Sequence, residues 1–571
     1  MKNLVLLVLV VVFCHDLANA QETTYCNPIN IDYTYMIYDA HKDISYRSGA
    51  DPAVVRFKDE YYMFVTRSMG YWYSKNMDSW EFVKPKQWYF QGSNAPAAHN
   101  YRDSVLYVAG NPSGSMSVLF SEAPESGVWQ ATPSILHNLQ DPALFIDDDG
   151  KGYMYWGSSN KFPVRARKLD KNKKFRPSKE VDSLFNLEPE MHGWERFGEN
   201  HSDTILGGYI EGPWMSKING KYYLQYAAPG TEFNVYGDGA YIGDNPLGPF
   251  TYAPNNPFSY KPGGFINGAG HGSTVEGPGG QYWHFASMAM NINVGWERRI
   301  GMFPTFVDKD GLLYSDTRFG DYPHYAPSNS EKKGAFTGWM LLSYKKPVEV
   351  SSFQEKYIAE NLVDENVQSF WVADKNSDSQ WVKIDLEKKA LVKAIQINYN
   401  DYKSDIYGKV PGLYHQYILE SSLNGSDWNV IVDKTENKSD IPNDYVVLEK
   451  PIETQYIRFK NIHTPTTNLS ISDIRIFGNG FGKKPKSVKT LQVQRNDRKR
   501  GAKVSWNATK DTQGYNILWG IAPDKLYSSW MVYDNSSLDI KSLNADQTYY
   551  FTIEAFNENG VSASSEIIKV P

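Results

Sequence analysis

Asp51, Asp141, Glu211 and His271 stand at matching positions of a repeated pattern and carry side chains able to do chemistry. Each opens a copy in which a short apolar stretch, a polar turn and an aromatic stretch follow in order. The copies begin at Asp51, Ala95, Asp141, Glu211 and His271, so they start 44, 46, 70 and 60 residues apart. If equivalent positions face one point, three carboxyl groups and an imidazole share a small space. Like charges held that close resist joint ionisation, so one carboxyl keeps its proton while another loses it. A carboxylic acid beside a carboxylate is the pair that general acid–base cleavage of a glycosidic bond needs. A central cation, or a water-filled channel, would also use such a ring, and both readings stay open.

These side chains meet only if the elements behind them surround an axis. Each copy reads as a β-hairpin, with turns at Lys58-Asp59-Glu60, Arg102-Asp103, Asp147 to Gly150, Asn219-Gly220 and Gly279-Gly280. Asn-Gly is the strongest short signal for such a turn. The intervals leave room for four-stranded units of roughly 40–50 residues, with long loops in the last two. Five copies predict a five-bladed β-propeller, whose innermost strands line the central channel. Two separate β-sandwiches would leave a fivefold repeat unexplained. The 15% aromatic content reads first as strand-rich packing, and secondly as sugar stacking.

Ala50-Asp51-Pro52, Asp141-Pro142-Ala143 and Ile210-Glu211-Gly212-Pro213 resemble the three acidic motifs of glycoside hydrolase family 43. His271-Gly272-Ser273 resembles that family's axial histidine motif, and the resemblance spans roughly residues 31 to 325. It implies an inverting hydrolase. Asp51 would be the general base that activates water, and Glu211 the general acid that protonates the departing oxygen. Asp141 would raise the pKa of Glu211 and position it. His271 would lie under the sugar and reach a cation through water. Arg299 would face substrate, with its neighbour Arg298 as the alternative. Inversion needs base and acid roughly 6.5–9.5 Å apart. Trp72 and Trp194 are expected at the mouth, the latter in the insertion His192-Gly193-Trp194-Glu195-Arg196, where Trp194 would stack on sugar and Glu195 hold a hydroxyl or anchor the loop. The resemblance implies removal of a terminal furanose or pentose from plant-type oligosaccharide or polysaccharide. α-L-Arabinofuranosidase comes first, β-xylosidase and β-galactofuranosidase next. A non-catalytic glycan-binding propeller is the rival from another class. No Ser-x-Asp-x-Gly-x-x-Trp repeat of a sialidase is present.

The remaining chain predicts an all-β architecture with two further modules. Residues 1–20 read as a signal peptide: Lys2, an apolar run over 4–13, and the cleavage site Ala18-Asn19-Ala20. The chain is therefore expected to be exported, periplasmic or extracellular. Cys26 alone remains after cleavage, which permits no internal disulfide. The propeller domain takes 21–335, with a break of linker composition at Ala326 to Lys333, and 350–480 forms the second module. Its segments Gln380-Trp381-Val382-Lys383-Ile384-Asp385-Leu386 and Ile471-Ser472-Asp473-Ile474-Arg475-Ile476-Phe477-Gly478 resemble a discoidin-like (coagulation factor 5/8 type C) jelly roll. Residues 485–571, with Val504-Ser505-Trp506, Gly514 to Trp519 and Tyr549 to Ile553, resemble an immunoglobulin-like fibronectin type III sandwich serving as a spacer. Its basic run from Arg495 to Arg500 is expected at a solvated hairpin tip. No cofactor is required, with structural Ca2+ left open for the channel or the discoidin-like module. A net charge of −6 without a basic stripe argues against nucleic acid, and no stretch is long and apolar enough to span a membrane.

Overall fold

The computed structural model describes residues 23–37, 42–110, 115–203 and 207–571; the predicted signal peptide lies outside them. The described chain is all-β apart from short 3-10 turns. Every sequence copy forms the leading hairpin of an antiparallel set. The first set is Ala53–Phe57, Glu60–Phe64, Tyr71–Ser74 and Glu81–Val83, and the second is Asn94–Tyr101, Ser104–Gly110, Ser115–Ser121 and Gln130–His137. The third begins Ala143–Ile146, Gly152–Trp156 and Val164–Asp170. The fourth begins Glu211–Ile218, Lys221–Ala228 and Gly237–Gly243, and the fifth Asn267–Glu276, Tyr282–Ala289 and Arg298–Val307. The turns obey local chemistry: Asn219 and Gly220 take φ of +51° and +78°, as a two-residue turn between Ile218 and Lys221 requires.

The five leading strands neighbour one another in sequence order, and Asn267–Glu276 returns to Ala53–Phe57, closing a ring. Between adjacent sets lie apolar cores. Phe57, Phe64 and Tyr107 join the first and second sets, and Leu106, Leu144 and Met154 the second and third. Phe145 and Tyr226 join the third and fourth, Ile218 and Leu313 the fourth and fifth, and Met63 and Phe285 the fifth and first. These cores consume the aromatic residues. Trp72 is fully buried in the last of them and its indole N–H donates to Asp32 Oδ1 at 2.6 Å, so it is not a mouth residue. Trp194 is fully buried between the third and fourth sets and donates to Tyr252 Oη at 2.9 Å. It too is removed from the mouth.

The N-terminal segment reinforces the closure. Thr24–Tyr25 pairs with His324–Tyr325, and the Asn27 side chain bonds the backbone of Met302 and Gly320. Thr24 also bonds Tyr445 of the second module at 2.8 Å.

The second module wraps Trp381–Tyr399, Gln416–Ser422, Asn443–His463 and Ser470–Gly480 around a core that includes Trp371, Ile395, Leu419 and Ile476. The third packs two sheets on a shared core containing Val504, Ile517, Trp519 and Phe551, which also takes in Val235 and Tyr260 of the first region. It is therefore docked rather than strung out as a spacer. The His192–Arg196 insertion is its clamp: Gly193 N–H donates to Leu543 O at 3.0 Å, and Tyr252 Oη bonds Asn544 at 3.1 Å. A Cβ on Gly193 would lie 2.4 Å from Lys541 O, so only glycine permits this approach. Glu195 sits beneath, fully buried, and accepts from Tyr226 Oη at 2.5 Å. The tip of the basic run, residues 496–499, is exposed as expected, whereas Arg500 at its end is buried against Glu190 and Pro189.

One buried polar cluster joins all three regions. Arg475 grips Glu365 with bonds of 2.7 and 3.1 Å and reaches the Asp321 carbonyl. Asp321 pairs with Lys261 at 2.8 Å, and Tyr533 of the third module donates to Glu365 at 3.3 Å.

Candidate active site

The ring brings the heads of the copies to one end of the axis. Asp51, Ala95, Asp141 and His271 have φ of +55°, +39°, +47° and +49°, and beside Glu211 it is Gly212 that takes +58°. Non-glycine residues resist this left-handed region, at a cost on the order of 1–3 kcal/mol each. The shared conformation turns each head out of its strand. Asp51, Asp141, Glu211 and His271 all line one cavity of about 610 Å³.

Neighbouring sets fix each head. The Asp51 N–H donates to Ser287 Oγ at 2.8 Å, and Thr66 Oγ1 donates to Asp51 Oδ2 at 2.6 Å while accepting from the Ala95 N–H. Arg298 reaches Asp51 Oδ1 at 3.1 Å and Thr231 Oγ1 at 2.9 Å. His271 Nδ1 lies 3.4 Å from Asp51 and 3.9 Å from Asp141. Beneath His271, Asp238 accepts the backbone N–H groups of His271 and Gly272 at 2.7 and 2.9 Å, and is itself held by His284 at 2.9 Å. Glu211 Oε1 accepts from Tyr236 Oη at 2.5 Å.

The electrostatics separate the carboxyl groups. Burial alone would raise Asp51, but Arg298, His271 and the Thr66 hydrogen bond hold it below its ordinary range. Burial pushes Glu211 up to about 7, with the charge of Asp51 adding and Tyr236 opposing. Burial also pushes Asp141 up to about 7, opposed by His271 and aided by Glu211 and Asp51. Desolvation is the largest cause for Glu211, and the mutual repulsion of Asp141 and Glu211 acts in the direction the resemblance implied for Asp141. The arrangement can hold a carboxylate and a carboxylic acid in one cavity, which is what proton transfer at two faces of a bond requires.

Asp141, Glu211 and His271 present ligand atoms within 4.8 Å of one another, the one such trio among the described residues. Asp141 Oδ2 is buried without a hydrogen-bond partner, so the trio suits either a shared proton or a cation. In the second module, Asp364 is tied to Ser369 and Asp473 to the Glu365 N–H, and neither joins a comparable trio.

Arg299 does not face the cavity. It is buried, bonded to Arg47 O at 2.8 Å, and Arg298 enters instead. Successive residues of a strand point to opposite faces, so only one of the two could enter, and their chemistry is identical. Thr66, Glu232, Tyr236 and Trp296 are further site residues that the motifs did not mark. Trp296 stands at the rim, 58% exposed. Tyr236 and Asp238, a phenol and a carboxylate at the start of a buried strand, were the available signal for the support beneath Glu211 and His271.

Residues 42–313 match the model of glycosyl hydrolases family 43, and residues 347–474 match the F5/8 type C domain. A β-xylosidase of Xylanibacter ruminicola is 29% identical over 189 residues, covering 30% of this chain and 56% of that protein. A xylosidase/arabinosidase 43A of Humicola insolens is 28% identical over 208 residues, covering 31% and 58%. A β-D-galactofuranosidase of Aspergillus niger is 28% identical over 145 residues, covering 25% and 34%. The chain thus spans little more than half the length of the first two and a third of the last.

Proposed function

We propose that this chain, with its family 43 glycosyl hydrolase domain followed by an F5/8 type C domain, is an exported glycosidase that removes terminal pentose or furanose units with inversion. The observation that carries the reading is that Asp51 and Glu211 line one cavity, with Arg298 and Thr66 bonded to Asp51 and favouring its ionised form while burial pushes Glu211 up to about 7. A water beside Asp51 gives up its proton to the carboxylate and attacks the anomeric carbon. Glu211 delivers its proton to the departing oxygen as the glycosidic bond breaks on the opposite face. Asp141 and His271 steady the charge between them, and Arg298 holds Asp51 in place. The scaffold is read as a five-bladed propeller, with a fibronectin type III-like third module and a leader at residues 1–20. An α-L-arabinofuranoside is the first candidate substrate, and β-xylosides and β-galactofuranosides the next; the names of the relatives include all three sugars. Trp296, exposed at the rim, is available to stack on a sugar.

Hydrolysis of a panel of nitrophenyl pentosides and hexofuranosides, alongside arabinoxylan oligosaccharides, tests this. Release of one monosaccharide, first seen as the inverted anomer by NMR, supports the reading. Binding of these glycans without cleavage would replace it with a glycan-binding propeller.

The protonation states set the expected pH dependence. Activity needs Asp51 ionised and Glu211 protonated. kcat/KM is therefore sustained on the acid side down to below the ordinary carboxylate range, and falls above about pH 7 as Glu211 loses its proton. An optimum above pH 8 would rule out Glu211 as the acid whose proton sets the alkaline limb. Gly212→Ala should cost on the order of 10²-fold in kcat/KM. A Cβ there would lie 2.6 Å from the His271 ring, at a φ that alanine resists, so Glu211 and His271 are both displaced. Steady-state kinetics at pH 6, with a melting curve to show the fold persists, check it.

A further inference from the structure

Behind the cavity wall, the second module reaches into the first. Ser48 and Arg298 line the cavity, while their neighbours Arg47 and Arg299 turn the other way and are buried, each with a side chain 1% exposed. Both guanidinium groups end on one carboxylate of the second module. Arg47 Nε lies 3.1 Å from Asp401 Oδ1, and an Arg299 terminal nitrogen 3.8 Å from Oδ2. Tyr35 Oη adds a 2.7 Å bond to Oδ1, and Asp440 takes the other end of Arg47.

The two segments that carry these arginines are also tied to each other. Ser48 Oγ donates to Trp296 O at 2.9 Å, the Gly49 N–H to Arg298 O at 2.9 Å, and Arg299 to Arg47 O at 2.8 Å. The loop bearing Asp401 continues along the same wall: Gly408 exchanges backbone bonds with Tyr35, and Ser45 Oγ donates to Ile406 O at 2.6 Å. Without these anions, Arg47 would stand unpaired and Arg299 would keep only the buried Glu297 beside it, one residue from the cavity, an arrangement proteins relieve by moving the chain.

We infer that the second module is part of the active site's construction, and that Asp401 is a positioning residue: clamped on Arg47 and Arg299, it holds the paired segments that present Ser48, Trp296 and Arg298 to the cavity. This rests on the glycosidase reading for its kinetic consequence, but not for its geometry. Arg298 is one of the titratable groups facing Asp51, with His271, Arg67, Asp141, Glu211 and Tyr236 the others. If Arg298 retreats, Asp51 binds its proton more tightly and the acidic limb of the rate profile moves to higher pH.

The test uses the full chain. Asp401→Asn should lower kcat/KM on the order of 10–100-fold and move the acidic limb upward, in the direction given by Arg298→Gln. Tyr35→Phe, which removes one bond and no charge, should give a smaller shift of the same sign and serves if Asp401→Asn does not fold. Tyr533→Phe, at a module junction remote from the cavity, should leave the limb in place even if it lowers the melting temperature. A folded Asp401→Asn protein with the parent profile overturns the inference while leaving the glycosidase reading intact. If the parent protein cleaves no glycan, that reading fails, and a crystal structure of Asp401→Asn decides the inference alone. Arg298 displaced from Asp51 sustains it, and an unchanged Arg298–Asp51 contact ends it.

Discussion

Glu211→Ala should lower kcat/KM on natural oligosaccharides by roughly 10²–10⁴-fold, the equivalent of about 3–5 kcal/mol of transition-state stabilisation. The loss depends on what leaves. A sugar alkoxide cannot depart without a proton, whereas a dinitrophenolate can, so the second kind of substrate should lose far less. Tyr236 occupies Oε1, which leaves the other oxygen of Glu211 to carry the proton into the cavity. The same variant should also lose the alkaline limb near pH 7 on dinitrophenyl glycosides, because the proton whose release sets that limb is no longer needed. Equal losses on both substrates would mean that Glu211 binds sugar rather than delivering a proton. Comparing the two leaving groups over pH 4–9 separates these outcomes.

Arg475→Met should destabilise the protein by about 3–5 kcal/mol, because removing one member of a buried ion pair strands the other. Arg475 is fully buried, satisfies both oxygens of Glu365, and is stacked against Phe265, Tyr322 and Phe477. Methionine keeps some of that packing and none of the charge. The orphaned Glu365 faces Asp321 and Asp473, which makes its ionised form still more costly. A urea titration followed by tryptophan fluorescence should show an earlier midpoint. Adding Glu365→Leu to Arg475→Met should recover part of the loss, since apolar pairs of similar volume often replace buried ion pairs at little cost. No recovery in the double variant would assign the effect to lost stacking.

The acidic heads were legible because chemistry and repetition coincide: Asp51, Asp141 and Glu211 differ from Ala95 only in what stands at an equivalent place. The strands behind them were legible from alternation and turn residues such as Asn219-Gly220. What the sequence concealed follows from physical degeneracy. A tryptophan that stacks on sugar and one that fills a core between sheets look alike in one dimension. Trp72 and Trp194 proved to be core, and Trp296 stands at the rim. Arg298 and Arg299 differ only in the face their strand gives them. The contacts of Asp401 with Arg47 and Arg299 join residues more than a hundred positions apart, and no local pattern announces them.

The N-terminal segment laced into the closing set has a consequence for the order of events during synthesis. Thr24 finds Tyr445 only after 421 further residues have been made. At about 5–20 residues per second that interval is roughly 20–85 s. The first set pairs locally and packs on the second, but the strand that closes the ring, Asn267–Glu276, and the strand that takes up Thr24–Tyr25, His324–Tyr325, follow only later. Until they are made, the face of the first set that packs on the fifth stays uncovered, so closure comes late even though the sets between can fold as they emerge.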